Sequence, residues 1–270
     1  PDSTEAGDGD MATVVCETAG DEDNSVASLT ELEEMSQSDP GRFARQVVVV
    51  QDAFTSYFET QLVLDLFHVL HRLGFEPSLM PFSANGKPLH VHGFLSWFKL
   101  LATKNAARLN RLAELQVPLV GVDPSMTLTY RSEYQEAGIE TPDVLLMQDF
   151  LATRLLPGAV PTVLPVKKYR LFAHCTEATN AKESLQPWQT IFALAGHQLS
   201  IESVGCCGMA GTFGHERDNL ALSKTIYTQS WAPKVDAQDT DRGEILATGY
   251  SCRSQVKRFS DQAIKHPISA

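Results

Sequence analysis

The sequence contains no apolar run that approaches the roughly 18 residues of a membrane-spanning helix. Its opening segment, PDSTEAGDGD, lacks the basic and apolar regions of a secretory signal peptide. Cysteine is scarce and odd in number, five residues in 270, which argues against a disulfide framework. These absences favour a cytoplasmic protein, in which clustered cysteines more often hold metal or do redox work.

Basic residues are few and form no stripe. The chain has 22 Lys and Arg against 33 Asp and Glu, and twelve of the acidic residues lie in residues 1–40, where Lys and Arg are absent. The remainder is electrically balanced, which predicts no nucleic-acid partner. We interpret residues 1–45 as an acidic linker or flexible arm, because this composition buries too little apolar surface to order itself. Cys16, within the arm, has no other cysteine nearby in the sequence.

The rest of the sequence alternates strand and helix patterns. Four consecutive valines in RQVVVVQD indicate a strand buried on both faces, as in parallel sheets. The expected fold is α/β, with two pseudo-repeated strand-helix-strand-helix-strand units and mostly parallel sheets. The predicted strands cover 45–52, 77–82, 117–123, 168–175, 198–204 and 244–252, and the predicted helices cover 54–75, 94–115, 143–158, 183–197 and 215–235.

We expect a first repeat over 46–150, a connector over 151–166 and a second repeat over 167–270. VVVVQDAFT aligns with RLFAHCTEA, MPFSANGKPLHVHGF with IESVGCCGMAGTFGH, and GVDPSMT with TGYSCRS. Four cysteines therefore occupy strand ends and turns of the second repeat. In an open α/β sheet such positions converge on the crevice where ligands bind. The alignment predicts a four-thiolate site made by Cys175, Cys206, Cys207 and Cys252; the matching residues of the first repeat are Asp52, Asn85, Gly86 and Ser125.

Three chemistries suit four clustered thiolates. They could hold an iron–sulfur cluster, or a zinc ion in a closed structural site. One of the two adjacent cysteines could instead attack a disulfide, provided that its thiol pKa is depressed. The spacing of the cysteines, with no C-x-x-C run, leaves all three open.

The segments HCTEAT, GCCGMAGTFGHE and GYSCRSQ resemble the cysteine-rich, CCG-type module found in heterodisulfide reductase and in the iron–sulfur subunits of glycolate oxidase and anaerobic glycerol-3-phosphate dehydrogenase. From about residue 46 to 267, a closer resemblance is to the C-terminal region of large bacterial FAD-linked oxidases of the D-2-hydroxyglutarate dehydrogenase kind. VQDAFTSYFE, NGKPLHVHGF and VDPSMTLTYRSEY carry it. The resemblance implies that the four cysteines ligate an iron–sulfur cluster, of the 4Fe-4S type, with zinc as the alternative. It also implies an FAD domain and a ferredoxin-like segment outside this chain, which fits a C-terminal fragment.

The sequence departs from the module in two ways. Gln255 stands where a further cysteine often follows, which argues against the double-cubane-like cluster of the heterodisulfide reductases. The first repeat lacks cysteine and keeps a polar set that is either a redundant scaffold or a surface for the flavin portion or its anionic substrate: Asp52, Asn85, Lys87, Asp123, Arg131 and Glu133. His174 and His215 flank the cysteines as candidates for hydrogen bonding to the ligands or for ligation, and His90 and His92 are candidates for a metal pair.

The resemblance therefore implies an electron-transfer module of an FAD-linked D-2-hydroxyacid dehydrogenase, with D-2-hydroxyglutarate as a candidate substrate. Hydride would pass to FAD outside this chain, and electrons would continue through iron–sulfur centres to a quinone or another acceptor. The chain itself would hold no catalytic residue. We expect a cytoplasmic homo-oligomer, with peripheral attachment at the inner membrane as a further option. The alternative function is a structural or oligomerisation module with zinc or no metal at the cysteines.

Overall fold

Two sheets, each parallel throughout, organise the protein in a computed structural model that describes residues 28–155, 165–236 and 242–270. The described strands, in chain order, are β1 (Gln46–Val49), β2 (Glu76–Leu79), β3 (Leu119–Gly121), β4 (Val144–Leu146), β5 (Lys168–Phe172), β6 (Gln198–Glu202) and β7 (Glu244–Ala247). The first sheet has the order β2-β1-β3-β4 and the second the order β6-β5-β7. The predicted α/β fold with parallel sheets is confirmed.

Helices connect the strands of both sheets. The described α-helices are α1 (Leu29–Ser38), α2 (Pro40–Phe43), α3 (Ala53–Tyr57), α4 (Thr60–Arg72), α5 (Lys87–Val91), α6 (Leu95–Glu114), α7 (Pro124–Thr127), α8 (Glu133–Glu136), α9 (Met147–Arg154), α10 (Cys175–Asn180), α11 (Gln186–Leu194), α12 (Leu220–Ser230), α13 (Ala232–Val235) and α14 (Tyr250–Ser260). Short 3-10 turns cover Leu128–Tyr130, Lys182–Leu185, Phe213–His215, Arg217–Asn219 and Pro267–Ser269. None of the helices in the described ranges combines the length and the apolar character needed to cross a membrane.

The four valines of the first sheet are buried because helices cover both of its faces. Val47 and Val49 pack with residues of α4 and α9, whereas Val48 and Val50 pack with residues of α6. Successive side chains of a strand point to opposite faces, so an unbroken apolar run suits this two-sided environment. The sequence pattern thus places β1 in the middle of its sheet, between β2 and β3.

The second sheet is covered in the same way. On one side of β5, Phe172 packs with residues of α12 and α14, including Tyr227 and Val256. On the other side, Tyr169 and Leu171 pack with Trp188 and Phe192 of α11. All three strands run in the same direction and end at one edge of the sheet, from which the loops that carry the cysteines leave.

Two element predictions were wrong about where a strand lies. The segment EILATGYSC, predicted as one strand over 244–252, leaves the sheet after Ala247, and α14 begins at Tyr250. The predicted helical connector over 143–158 begins instead with the short strand β4. Residues 156–164 of that connector lie outside the described residues.

The segment assigned to the acidic arm differs from expectation over the part that the structure describes. Residues 28–43 form α1 and α2, and Ser28 and Glu31 make a reciprocal capping box at the start of α1. Leu32 is completely buried and joins the core of the first sheet. Leu29 and Phe43 pack against the same core, so three apolar side chains and a good cap order this acidic stretch. Residues 1–27, with Cys16, lie outside the described residues.

Candidate functional site

The four predicted thiols leave the carboxyl edge of the second sheet. Cys175 is the first residue of α10, directly after β5, and Cys206 and Cys207 follow β6. Cys252 lies in the first turn of α14, after β7. Because neighbouring parallel strands end at the same edge, three separate loops bring the cysteines together.

The thiols act on one another's ionisation. Hydrogen bonds from the thiols of Cys175 and Cys207 lower the pKa of Cys206. The backbone N–H of Gly208 also donates to the Cys206 Sγ, at 3.3 Å. The same thiol contacts raise the pKa of Cys175 and Cys207, and Cys207 also contacts Cys252. These contacts favour the thiolate form of Cys206 over that of Cys175 and Cys207.

The four cysteines differ in their access to solvent. All are free thiols, and Cys207 and Cys252 are 3% and 1% exposed, whereas Cys175 and Cys206 are half-buried. Cys206 interacts with both Cys175 and Cys207, Cys207 also with Cys252, and Cys252 with Cys175. Within the described residues, no three or more His, Cys, Asp or Glu side chains are arranged to hold a single metal ion. The donor chemistry is that of a thiolate site, with one side open to solvent.

The loop with the adjacent cysteines is fixed from behind by two buried polar residues. Ser223 donates to the carbonyl of Gly208 at 2.8 Å. Gln255 is fully buried and donates through its Nε2 to the Cys207 carbonyl at 3.0 Å and to the Ser223 Oγ at 2.8 Å. At the position where the module often has a further cysteine, the glutamine amide holds the loop instead. Its Oε1 is buried without a hydrogen-bond partner in the described part of the chain.

Replacing Gly208 by alanine is expected to lower the free energy of unfolding by about 2 to 5 kcal/mol, because two penalties add. Gly208 has a left-handed φ of +88°, and a Cβ there would lie 2.3 Å from the backbone oxygen of Ser223. Gly211, in the same loop, also has a positive φ, but its nearest neighbour would be Val91 Cγ1 at 3.7 Å. Gly211→Ala is therefore the matched control, with an expected loss of about 1 to 2 kcal/mol. Urea unfolding of both variants measures the difference; equal losses would contradict the contact with Ser223.

The two histidines beside the cysteines lie in different environments. His174 is buried, its Nδ1 accepts from the Thr176 N–H at 3.2 Å, and its Nε2 lies 3.2 Å from the Ser251 Oγ. Burial lowers the pKa of His174, so the ring is neutral, and the Thr176 contact places its proton on Nε2. His215 is exposed on the loop. His174 therefore supports the residues around Cys175 and Cys252 through Thr176 and Ser251.

His90 and His92, the candidate metal pair, have different neighbours in the structure. His90 stacks edge-on against Phe98, with ring centroids 4.9 Å apart. His92 Nε2 lies 3.1 Å from the Thr212 Oγ1, which joins the end of α5 to the cysteine loop. The two rings are therefore engaged with different neighbours.

The polar residues of the first repeat are used mostly within the protein. Asp52 caps α3, and Asn85 donates to the Met126 carbonyl at 3.1 Å. Lys87 is ion-paired with Glu133, and burial lowers the Lys87 pKa. Arg131 donates to the Val144 carbonyl at 3.2 Å. Hence these side chains hold loops of the first repeat in place.

Asp123 connects the two repeats, a role that the sequence did not reveal. Its Oδ1 accepts from the backbone N–H of Ser125 and of Met126, at the start of α7. Its Oδ2 accepts from the backbone N–H of Tyr250 at 2.8 Å, at the start of α14. Burial, and then the charge of Asp123, raise the pKa of Asp52 to about 7. The carboxylate of Asp123 thus caps the helix that carries Cys252 in the other repeat.

Sequence reasoning also missed Glu177 and Arg253. Glu177 is fully buried and accepts from the Gln148 Nε2 at 2.7 Å, and burial raises its pKa to about 8. Arg253, next to Cys252, makes a two-pronged ion pair with Glu59 of the first repeat. Nothing in the sequence signals that these two charged side chains are buried, because their partners lie far away along the chain.

Comparison with known proteins gives relatives that match 84% to 90% of the chain. No family model matches. The chain is 49% identical over 245 residues to the D-2-hydroxyglutarate dehydrogenase of Pseudomonas putida, covering 90% of this chain and 23% of that protein. It is 47% identical over 247 residues to the Escherichia coli protein of the same name, with 90% and 24% covered. One subunit of the Escherichia coli anaerobic glycerol-3-phosphate dehydrogenase is 25% identical over 238 residues, which cover 84% of this chain and 59% of that protein.

Among solved structures, an aspartate racemase homologue from Pyrococcus horikoshii covers 83% of this chain and 95% of its own, with a TM-score of 0.35 and 13% identity. That likeness is too low to bear on the fold or the function. The chain spans about a quarter of the length of the D-2-hydroxyglutarate dehydrogenases that it matches. The resemblance inferred from the sequence is thus confirmed, and the chain is a homologue of one segment, about a quarter in length, of the bacterial D-2-hydroxyglutarate dehydrogenases.

Proposed function

We propose that this chain is the iron–sulfur, electron-transfer part of an FAD-linked D-2-hydroxyacid dehydrogenase, with D-2-hydroxyglutarate as the substrate. One observation carries the proposal: four free thiols from three loops lie in mutual contact at the carboxyl edge of the second sheet. The high identity to D-2-hydroxyglutarate dehydrogenases supports the choice of substrate. Hydride transfer to FAD would take place in a portion of the protein outside this chain.

The residues present fit an iron–sulfur cluster by their chemistry. Cys175, Cys206, Cys207 and Cys252 would be the ligands, and four thiolates are the usual ligand set of such clusters. The alternative occupant of the same four thiolates is a zinc ion in a closed structural site. When bound, the cluster would accept and release electrons one at a time.

The protein around the thiols controls their surroundings. Burial of Cys207 and Cys252 keeps water from one side of the group, and the half-buried Cys175 and Cys206 face outward. The neutral ring of His174 adds no positive charge beside Cys175, and Ser251 occupies its Nε2 proton. Gly208 donates an N–H to the Cys206 sulfur, and such donors raise the reduction potential of a thiolate-bound centre.

We further propose how the remaining parts are arranged. The first repeat, 46–150, serves as a scaffold, and the second, 167–270, holds the centre; 151–166 joins them. Electrons would enter from the FAD-binding and ferredoxin-like portions of the same protein and leave to a quinone or another acceptor. The complete protein would be a cytoplasmic homo-oligomer, or attached peripherally at the inner membrane. This chain alone would not oxidise a hydroxyacid.

Metal and sulfide analysis of protein purified without oxygen tests the proposal. We expect iron and acid-labile sulfide in comparable amounts, with broad visible absorption that bleaches on reduction by dithionite. Zinc without sulfide would instead favour the structural module, because zinc neither absorbs visible light nor changes oxidation state. Metal-free protein with one rapidly alkylated cysteine would favour a redox thiol. Either of the last two results would overturn the electron-transfer function.

A further inference from the structure

A short apolar segment beside the cysteine loop is left uncovered by the described residues. Five of the ten residues in VHGFLSWFKL, 91–100, are large, apolar and 52% to 64% exposed. We refer to them as the apolar ridge: Val91, Phe94, Leu95, Trp97 and Leu100. Exposed apolar side chains on a protein surface are ordinarily scattered, and five of them within ten residues indicate an interaction site.

A buried aromatic ring anchors the helix start that carries the ridge. Phe98, in the same segment, is 1% exposed and packs against Tyr134, with ring centroids 5.7 Å apart. A Cβ on Gly86 would come within 2.9 Å of the Phe98 ring, so the ring also lies directly over the loop that precedes α5. Phe98 anchors the first turn of α6, and its neighbours Trp97 and Leu100 therefore point away from the core.

The ridge is continuous with the cysteine loop. At its first residue, the Val91 Cγ1 lies 3.7 Å from the position that a Cβ on Gly211 would occupy. One residue later, His92 bonds to the Thr212 Oγ1 at 3.1 Å. Both contacts are made by the loop that follows Cys206 and Cys207. A surface that covers the ridge would therefore also meet the loop that carries the adjacent cysteines.

We infer that the apolar ridge is the docking surface for another portion of the same polypeptide, the portion that delivers electrons to the cysteine site. The relatives are about four times as long as the matched segment, since it covers 23% to 24% of them, so most of such a polypeptide lies outside this chain. This inference rests on the proposed function for the identity of the donor. The contacts of the ridge with the loop that follows Cys206 and Cys207 favour the electron-donating portion over any other occupant.

Oxidative footprinting of the natural polypeptide, by which we mean this chain together with the FAD-binding and ferredoxin-like portions, tests the ridge without relying on electron transfer. The chain has three tryptophans: Trp97 is 64% exposed in this structure, whereas Trp188 and Trp231 are buried. In the natural polypeptide, hydroxyl radicals should modify Trp97 about tenfold more slowly than in the urea-unfolded protein, as for Trp231. Modification of Trp97 at the unfolded rate would overturn the inference. So would protection of Trp97 that disappears when an oligomer is diluted to single chains, because the ridge would then bind a second copy.

A pair of variants of the natural polypeptide separates this inference from the proposed function. Trp97→Asp should slow reduction of the cysteine-bound centre by the hydroxyacid about tenfold, while leaving iron, sulfide and the rate of flavin reduction unchanged. Val166→Asp is the matched control, because Val166 is 56% exposed and lies at the amino end of β5, away from the cysteines. Normal transfer in Trp97→Asp would overturn the inference alone. Absence of iron from the unaltered protein would overturn the proposed function. The footprint of Trp97 would still test whether the ridge is covered, because it does not depend on iron.

Discussion

Replacing Cys207 by serine is expected to abolish the binding of iron and acid-labile sulfide. Cys207 contacts both Cys206 and Cys252, and it is 3% exposed, so no water or outside ligand has room to take its place. A serine hydroxyl is a poor ligand for iron in such a centre, because it stays protonated where a thiol is deprotonated. Iron, sulfide and visible absorption, measured after anaerobic purification, should all fall to background.

The other cysteines permit a graded comparison. Cys252→Ser should lose the centre as completely as Cys207→Ser, because Cys252 is 1% exposed. Cys175→Ser and Cys206→Ser should lose most of the centre and keep a fraction of the iron. These two positions are half-buried, so a water molecule can replace the missing ligand. Cys16→Ser is the matched control and should keep full iron content. Unchanged iron and sulfide in Cys207→Ser would exclude a centre at this site.

Sequence patterns correctly predicted the elements whose pattern is compatible with only one structure. Four valines in succession can be buried only where both faces of a strand are covered, and β1 is such a strand. The long helix predicted over 94–115 corresponds closely to α6, because its apolar residues keep a helical spacing through twenty residues. Local patterns therefore sufficed for the central strand and the longest helix.

The start of α14 could not be predicted because the sequence pattern there is ambiguous. The segment EILATGYSC continues a β-type composition beyond the end of β7, so nothing in it indicates that the chain turns at Gly249. The cap of this helix comes from elsewhere, because Asp123 of the first repeat accepts from the Tyr250 N–H. A helix whose stabilising partner lies 127 residues away gives little local signal of where it begins.

The cysteines could be predicted as a group because each aligns with a residue at the corresponding strand end or turn of the first repeat. Cys175 and Asp52 both lie where a first strand passes into a short helix, although Asp52 caps its helix and Cys175 is the residue after the cap. Contacts between the two repeats could not be predicted from the similarity of their sequences. Such pairs as Gln148 with Glu177 depend on how the two sheets are packed together, which a single sequence does not encode in any local pattern.

Replacing Arg253 by methionine is expected to lower the free energy of unfolding by about 3 to 5 kcal/mol, as for other broken buried ion pairs. The Arg253 side chain is 6% exposed, and its Nε donates to Glu59 Oε1 at 2.9 Å, while Nη2 bonds to the second carboxylate oxygen. Its Nη1 donates to the Ala247 carbonyl at 2.7 Å. The variant therefore leaves the Glu59 carboxylate without its partner and a strand-end carbonyl unsatisfied. Urea unfolding of metal-free protein measures the loss.

Two further variants identify the ion pair as the cause of that loss. Arg45→Met removes one exposed arginine beside Glu76, at 3.4 Å, and should cost less than about 1 kcal/mol. Adding Glu59→Leu to Arg253→Met should recover part of the stability, because the double variant no longer holds an unpaired carboxylate between the repeats. If the double variant were less stable by the full sum of the two single losses, the pair would be uncoupled. The two repeats would then be joined by their apolar packing and the Asp123 cap, and Arg253 would serve only to cap β7 at Ala247.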